Sequence, residues 1–197
     1  MINIIPCNKS YYEDMYKIHL SVMPQNDIMS KQCFFDEFNQ PTRKYFVAVN
    51  NNSLLGYVGI FNTIDDYNII GIAVNQDVQR QGIGHKLLQT IIKDARKNQV
   101  KTISLEVDEK NEKAINFYKK NGFIVTNIRK KYYKDNDALI MWLYLWNFII
   151  KTLKFIIKQK VKGKKIALCY FYTVGKEVQK ALTIFLKNLA NTGFVLM

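Results

Sequence analysis

The chain has 197 residues, 48% of them hydrophobic and 23% charged, which excludes a disordered protein and suffices for a buried core. Its net charge of +13 would suit a nucleic-acid partner. However, nearly all the basic residues are Lys, in a chain also rich in Asn and Ile, a bias typical of an AT-rich genome, so we propose no nucleic-acid site.

The basic excess lies mainly at the C-terminal end. From Leu145 onward there are ten Lys and one acid, Glu177, which leaves 19 basic and 15 acidic residues in 1–144. We therefore expect a near-neutral domain over 1–144 and a Lys-rich extension over 145–197.

The cysteines and the N-terminus indicate a cytoplasmic protein. Cys7, Cys33 and Cys169 are an odd number at unrelated spacings, which implies neither a disulfide framework nor a metal site. The N-terminal stretch MINIIPCNKS lacks the basic start and apolar centre of a signal peptide.

The predicted elements begin with a short strand, INIIP, followed by two helices. YYEDMYKIHLSVM has apolar residues at helical spacing, and SKQCFFDEF follows with Ser30 as its N-cap. KYFVAV and LLGYVGIF are predicted strands separated by the hairpin signal NNNS. We expect DDY to break the chain before the strand NIIGIAV.

Helices and strands then alternate. The helix from Gly84 has one apolar face, which consists of Leu87, Leu88, Ile91, Ile92 and Ala95. TISLEV is a strand, and NEKAINFYKKNGF is a helix that ends at Asn121-Gly122 in a left-handed turn. VTNIRKKYY and ALIMWLYL are closing strands. The order β–α–α–β–β–β–α–β–α–β–β predicts an α/β domain with a mixed sheet.

The stretch QRQGIGHKLL, residues 79–88, has Gly82 and Gly84 between a predicted strand and a predicted helix. The start of a helix has unpaired N–H groups, and glycine permits positive φ and close approach, so this turn predicts a phosphate site. A dinucleotide fingerprint would need glycine at Leu87, and a P-loop would need Lys after Gly84, where His85 stands. The alternative is a glycine turn without a ligand.

Three segments in order then carry a specific resemblance: IAVNQDVQRQGIGHKLL, LEVDEKNEKAINFYKKNGF and RKKYYKDNDALIMWL. They are similar to motifs of the GCN5-related N-acetyltransferase (GNAT) superfamily, and more narrowly to the RimI-type N-terminal acetyltransferases that modify a ribosomal protein. The resemblance covers about residues 3–144 and is strongest over 68–144. It implies the GNAT fold, a mixed central sheet flanked by helices, with acetyl-CoA as co-substrate and no metal.

The resemblance also implies residues that bind acetyl-CoA. The strand whose backbone pairs with the pantetheine arm would be Ile72, Ala73 and Val74. The pyrophosphate cradle would be opened by Gln79 and formed by Arg80, Gln81, Gly82, Ile83, Gly84 and His85. Asn111 would contact the same ligand, and a helix N-cap role suits it equally. The alternatives are plain strand core for Ile72–Val74 and plain solvent exposure for the side chains of Arg80 and His85.

Acetyl transfer from a thioester to an amine needs a base, an acid and donors for a developing oxyanion. Strand alternation points Glu106 away from its apolar neighbours, and the resemblance makes it the proton acceptor; an ordinary ion pair is the alternative. Tyr118 shares a helix face with Asn111 and Ala114, and the resemblance makes it the proton donor; a core Tyr is the alternative. Phe117 and Ile115 are predicted to be core. Because the cysteines lie outside the motifs, we expect direct attack by the amine.

The expected acceptor is the α-amine of a protein N-terminus, with a ribosomal protein as the partner. At neutral pH an α-amine is neutral roughly two hundred times more often than a lysine side chain. RKKYY resembles the family's substrate-side strand, where Tyr132 and Tyr133 either line a peptide groove or simply pack. The segment Gln25-Asn26-Asp27 departs from the family on this side. Rival hypotheses are a small amine, a polyamine or a lysine side chain as acceptor, and a non-catalytic acetyl-CoA-binding module.

The resemblance ends near Tyr144. In WNFIIKTLKFIIKQKVKGKK a polar and basic stripe recurs every three or four residues along an apolar helix, formed by Asn147, Lys151, Lys154, Lys158, Lys162 and Lys165. The Lys interruptions argue against a transmembrane span. A strand, KIALCYFYTV, and a helix, KEVQKALTIFLKNLA, follow. Four roles stay open: packing on the domain of a monomer, forming a dimer, contacting a membrane surface or the ribosome, and an accidental extension of the reading frame.

Overall fold

The computed structural model describes residues 1–23, 29–51, 53–133 and 136–145, and Met1–Leu143 form one compact unit. The strands are β1 (Asn3–Pro6), β2 (Arg43–Asn50), β3 (Ser53–Asn62), β4 (Asp66–Val74), β5 (Thr102–Asp108), β6 (Ile124–Tyr133) and β7 (Asn136–Tyr144). The α-helices are α1 (Tyr12–Val22), α2 (Lys31–Asn39), α3 (Ile83–Lys97) and α4 (Glu112–Lys120). This order confirms the predicted sequence of elements.

The strands form one mixed sheet in the order β1-β2-β3-β4-β5-β7-β6. Strands β1 to β4 pair antiparallel, as do β6 and β7, whereas β4 and β5 pair parallel. Parallel neighbours need a long crossover connection, which α3 supplies. The α/β class with a mixed sheet and flanking helices is therefore confirmed.

The central strands β4 and β5 pair along only part of their length. Their register runs from Asp66 opposite Thr102 to Ile69 opposite Leu105, although β4 continues to Val74. On the other side of β4 the pairing with β3 slips, since Gly59 lies opposite Gly71 and Ile60 opposite Ile69. Ile70 is thus an extra residue, a bulge that bends and twists its strand. Within the described residues, positions 70–74 at the end of β4 have no register partner on β5.

The helices bury the faces that their periodicity predicts. The buried residues of α3 are Ile83, Leu87, Leu88, Ile91, Ile92 and Ala95, which includes the whole predicted face. Burying each large aliphatic side chain contributes about 1.5–3 kcal/mol. Helices α1 and α2 pack Tyr12, Met15, Ile18 and Phe34 into a cluster with Val47, Leu54, Tyr57 and Ala73 of the sheet.

Several local signals act as predicted. Ser30 caps α2, because its hydroxyl accepts a hydrogen bond from Cys33 N at 3.2 Å. Gly122 follows α4 with φ +90°, the expected left-handed turn. Asn51, with φ +44°, lies in the turn of the predicted β2–β3 hairpin.

One predicted boundary is wrong, because DDY does not break the chain before the strand. Asp66 and Tyr67 both belong to β4, and Tyr67 is 1% exposed. Pairing with β5 and a hydrogen bond from the Tyr67 hydroxyl to Asp94 Oδ2 at 2.9 Å carry the strand through these residues. Burial of the tyrosine therefore outweighs the turn tendency of the acidic pair.

The predictions for residues 146–197, including the basic stripe and Cys169, lie outside the described residues, and so does the Gln25-Asn26-Asp27 departure. In the described part of the chain, no helix is both long enough and apolar enough to cross a membrane.

Candidate active site

The turn between β4 and α3 holds two backbone positions in the left-handed region. Arg80 has φ +62°, and Gly82 has φ +77° as the N-cap of α3. Gly82 adopts this conformation freely, whereas it costs Arg80 about 1–2 kcal/mol. Gly82 also provides no side chain to cap α3, so the first N–H groups of this helix are available to an anion.

This turn borders a cleft of about 550 Å³, which we call the loop cleft. The cleft brings together four sequence segments: the end of α1 with Met23, the end of β4, the loop that leads into the start of α3, and one face of α4. Its lining includes most of the predicted acetyl-CoA residues, namely Ile72, Ala73, Val74, Gln79, Arg80, Gly82, Ile83, Gly84, His85 and Asn111. Gln81 is not among the lining residues. Of the two predicted catalytic residues, Tyr118 lines the cleft and Glu106 does not.

The side chain of Gln79 connects the loop to β4 and to α4. Its Nε2 donates a hydrogen bond to Val74 O at 3.0 Å, and its Oε1 accepts one from Lys113 Nζ at 3.2 Å. Lys113 lines the loop cleft and adds a positive charge to that of Arg80. Sequence reasoning missed Lys113, since a lysine on an exposed helix face is usually only solvated.

Two polar residues predicted to bind acetyl-CoA, His85 of the cradle and Asn111 of α4, have side-chain partners within the protein. His85 Nδ1 lies 2.9 Å from Asn121 Oδ1, so its ring is held against the end of α4 rather than merely exposed to solvent. Asn111 caps α4, because its Oδ1 accepts a hydrogen bond from Ala114 N at 3.0 Å. Since Asn111 also lines the loop cleft, capping and ligand contact are compatible.

Gly84 and Phe117 shape the same cleft. An added Cβ at Gly84 would lie 3.8 Å from Phe117 and from Val74, which is ordinary contact, so the protein's own packing does not demand glycine there. Phe117 is half-buried and lines the cleft, so the prediction that it is core is wrong. It follows Ala114 by three residues and therefore shares the cleft-facing side of α4. Ile115, 7% exposed, is core as predicted.

Tyr118 combines burial with a place on the cleft wall. Its ring packs edge-on against Phe117 and Phe123, with centroids 5.2 and 5.4 Å away. Burial first, and the nearby Tyr133 second, raise the pKa of Tyr118 well above its ordinary value. The hydroxyl therefore stays protonated at neutral pH and can donate a hydrogen bond.

Glu106 lies where β4 and β5 part, one residue after Leu105. Leu105 and Val107 are buried while the Glu106 side chain is 26% exposed, as strand alternation predicts. Its Oε1 accepts a hydrogen bond from Arg129 Nη1 at 3.0 Å, so the ion pair offered as the alternative is present. The guanidinium of Arg129 also lies 4.4 Å from the centre of the Tyr132 ring, a cation–π contact.

A second cavity, of about 280 Å³, is lined by the bulge residues Ile70 and Gly71. We call it the aromatic cavity, because its other lining residues are mostly aromatic: His19, Met23, Met29, Phe34, Glu37, Tyr45, Tyr57, Tyr132 and Tyr133. Tyr132 and Tyr133 line it and also pack on each other, with ring centroids 5.0 Å apart. The packing alternative is therefore present, and their place in a peptide groove stays a prediction. Sequence reasoning missed the members from α1, α2, β2 and β3, because cavity walls from distant segments leave no local signal.

The described residues include two free cysteines and no cluster of metal ligands. No group of three or more His, Cys, Asp or Glu side chains in that part of the chain could hold a metal ion. Cys33 is exposed, and burial raises the pKa of Cys7 to about 12. The Cys7 thiol is therefore not ionised at neutral pH.

Comparison with known proteins points in one direction. The acetyltransferase (GNAT) family profile matches residues 10–123. An Escherichia coli (strain K12) protein named ribosomal protein bS18-alanine N-acetyltransferase is 35% identical over 102 residues, which is 50% of this chain and 69% of that protein.

Two solved structures agree with this match. The crystal structure of the ribosomal-protein-S18-alanine N-acetyltransferase from Escherichia coli has a TM-score of 0.67 at 28% identity and covers 74% of this chain and 94% of that one. A GNAT family acetyltransferase from Elizabethkingia anophelis with acetyl-CoA bound has a TM-score of 0.63 at 23% identity, over 73% and 98%, which supports the fold alone.

Proposed function

The chain belongs to the acetyltransferase (GNAT) family, and from that premise we propose that it transfers the acetyl group of acetyl-CoA to the α-amine of a protein N-terminus. The observation that carries the proposal is that β4 and β5 stop pairing after Ile69 and Leu105, while β4 continues to Val74. Ile72–Val74 line the loop cleft, Ile70 and Gly71 line the aromatic cavity, and Met23 lines both. An acetyl donor in the loop cleft and an amine acceptor in the aromatic cavity would therefore meet along β4.

Acetyl-CoA supplies an activated acetyl group as a thioester, and the loop cleft has the features to hold it. The backbone of Ile72–Val74, beyond the register with β5, can hydrogen-bond the pantetheine arm as an added strand would. The uncapped start of α3, with Arg80 and Lys113 beside it, suits the pyrophosphate. Gln81 belongs to this loop, and we propose that it contributes through its backbone.

The aromatic cavity suits the acceptor end of a peptide. Aromatic rings provide contact area for a side chain, and the α-amine needs less help to lose its proton than a lysine does. The Escherichia coli relative is named for acetylating an alanine of ribosomal protein bS18. We therefore propose a ribosomal protein with an N-terminal alanine as the substrate class.

Glu106 and Tyr118 are the catalytic residues of this proposal. Glu106 lines neither cavity, so its carboxylate receives the proton of the attacking amine through a water molecule, on the side where β4 and β5 part. Tyr118 lines the loop cleft and donates to the departing sulfur. Because burial raises its pKa, the phenol is a weak acid, so it stabilises the thiolate mainly as a hydrogen-bond donor.

The decisive experiment measures thiol release from acetyl-CoA with three acceptors and checks each product by mass spectrometry. The acceptors are a peptide that begins with alanine, its N-terminally blocked twin containing lysine, and a polyamine. Acetylation of the free N-terminus alone is the expected result. Transfer to the blocked peptide or the polyamine would move the acceptor to a rival class, and acetyl-CoA binding without any transfer would favour a non-catalytic module.

A further inference from the structure

Three side chains of α1 hold the backbone that leads into α2. Tyr12, Tyr16 and His19 are four and then three residues apart, so they lie along one helix face. The Tyr12 hydroxyl donates to Lys31 O at 2.6 Å, and the Tyr16 hydroxyl donates to Met29 O at 3.2 Å. His19 Nε2 accepts a hydrogen bond from Met29 N at 3.1 Å. We call Tyr12, Tyr16 and His19 the α1 clamp.

His19 is the member of the clamp that reaches the aromatic cavity. It is 4% exposed, and because Nε2 accepts a hydrogen bond, the proton of the neutral ring is on Nδ1. Nδ1 lies 3.3 Å from the Tyr57 hydroxyl, and the ring centroid lies 5.0 Å from that of Phe34. His19, Met29, Phe34 and Tyr57 all line the aromatic cavity. The imidazole of His19 on α1 thus contacts both Met29, just before α2, and Tyr57 on β3, at the wall of the aromatic cavity.

We propose that His19 is a positioning residue for the acceptor, which sets the shape of the aromatic cavity by fixing Met29 and Tyr57. This inference rests on the proposed function, in which that cavity receives the acceptor. His19 does not line the loop cleft, so it affects acceptor binding and leaves acetyl-CoA binding unchanged. Tyr12 and Lys31 line neither cavity, although their hydrogen bond belongs to the same clamp. Removing that bond therefore controls for the loss of a clamp hydrogen bond away from the aromatic cavity.

The kinetic test compares His19→Leu, His19→Gln and Tyr16→Phe with Tyr12→Phe as the matched control. Leaving the part-buried Met29 N–H without its acceptor in His19→Leu is expected to raise the acceptor KM about tenfold. In His19→Gln the side-chain oxygen can accept that hydrogen bond, so KM should stay within about threefold of the wild type. The Tyr16→Phe change keeps the ring and removes one hydrogen bond, so its expected increase in KM is about threefold.

The control and the other kinetic constants decide whether the effect is local. Tyr12→Phe should leave the acceptor KM unchanged, although it also removes a part-buried hydrogen bond. No variant should change kcat or the KM for acetyl-CoA more than about twofold. Equal increases in KM for His19→Leu and Tyr12→Phe, or a fall in kcat without a change in the acceptor KM, would overturn the proposal.

A spectroscopic measurement tests the clamp even if the acceptor is not a protein N-terminus. Hydrogen exchange of the Met29 amide, followed by NMR, should be about tenfold faster in His19→Leu than in the wild type and close to wild type in His19→Gln. The ¹⁵N shifts of the wild-type imidazole should identify Nε2 as unprotonated. Unchanged amide exchange, or a protonated Nε2, would refute the clamp independently of the proposed substrate.

Discussion

Replacing Gly84 by alanine should make the protein more stable and its acetyl-CoA binding weaker. The added methyl group would lie 3.8 Å from Phe117 and Val74, so it meets no clash within the protein. Gly84 is in the first turn of α3, where alanine is better than glycine by roughly 0.5–1 kcal/mol. We therefore expect the free energy of unfolding to rise by up to about 1 kcal/mol, which corresponds to roughly 2–4 °C in Tm.

The same methyl group would stand in the space that the proposed donor needs. Phe117, Val74 and Gly84 all line the loop cleft, and the methyl would keep the ligand from the N–H groups at the start of α3. Losing one or two hydrogen bonds to a charged group, at about 1.5–3 kcal/mol each, corresponds to a loss of at least tenfold in affinity. Calorimetric titration with acetyl-CoA, beside thermal unfolding of the free protein, measures both effects.

Gly82→Ala is the matched control for backbone effects. Its Cβ would meet nothing within 4 Å, but φ is +77°, so alanine there should cost about 1–2 kcal/mol of stability. The two variants should therefore shift Tm in opposite directions. Wild-type affinity for acetyl-CoA in Gly84→Ala, with Tm raised as expected, would show that the loop cleft does not bind the donor as proposed.

Three further predictions concern the chemistry and the charge of the site. Glu106→Gln should lower kcat about 10²- to 10⁴-fold, as expected for loss of a general base, and Tyr118→Phe about 10- to 10²-fold, as expected for loss of a hydrogen bond to the thiolate. Calorimetry should show acetyl-CoA affinity within about twofold of wild type in both variants. Glu112→Gln, an exposed change on α4, should leave both kcat and affinity unchanged, and wild-type turnover in the first two variants would contradict the assigned roles. Because the pKa of Tyr118 is raised in the folded protein, its phenol stays protonated beyond pH 10. The value of kcat/KM for the acceptor should therefore rise with deprotonation of the free α-amine near pH 8 and then stay level to about pH 10. A pKa that is higher in the folded than in the unfolded protein also means that Tyr118 lowers the free energy of unfolding only at pH values above its unfolded pKa of about 10. A fall in kcat/KM or in Tm that begins near pH 9 would contradict the raised pKa. Lys113→Gln should weaken acetyl-CoA binding about fivefold at 50 mM salt and much less at 500 mM, with Lys113→Arg close to wild type, and an effect independent of salt would argue against an electrostatic role.

Local features could be predicted because a few neighbouring residues encode them. The spacing of Leu87, Leu88, Ile91 and Ile92 predicts which face of α3 is buried, and the structure confirms it. Ser30 as a helix cap and Gly122 in a left-handed turn follow from side-chain chemistry and from backbone sterics within one turn. The resemblance added the remote pieces, since it predicted that β4, the glycine loop and α4 would meet at one site.

Contacts between distant segments were decided only by the tertiary structure. Glu106 lies on β5 and Arg129 on β6, two strands separated by β7, so no local spacing indicates that they pair. Phe117 is apolar and therefore looks like core, yet the parting of β4 from β5 opens a cleft beside α4 and leaves its ring on the wall.

His19 provides the clearest case of this division. Its sequence neighbours predict only a helix, whereas its hydrogen bonds join α1 to Met29 and to Tyr57 on β3, 38 residues away along the chain. Torsional preferences and hydrophobic periodicity act over one or two turns, so the sequence by itself determined the elements, their order and the glycine turn. Strand order, the bulge at Ile70 and the end of the pairing between β4 and β5 depend on the packing of the whole sheet, and they decided which side chains share a cavity.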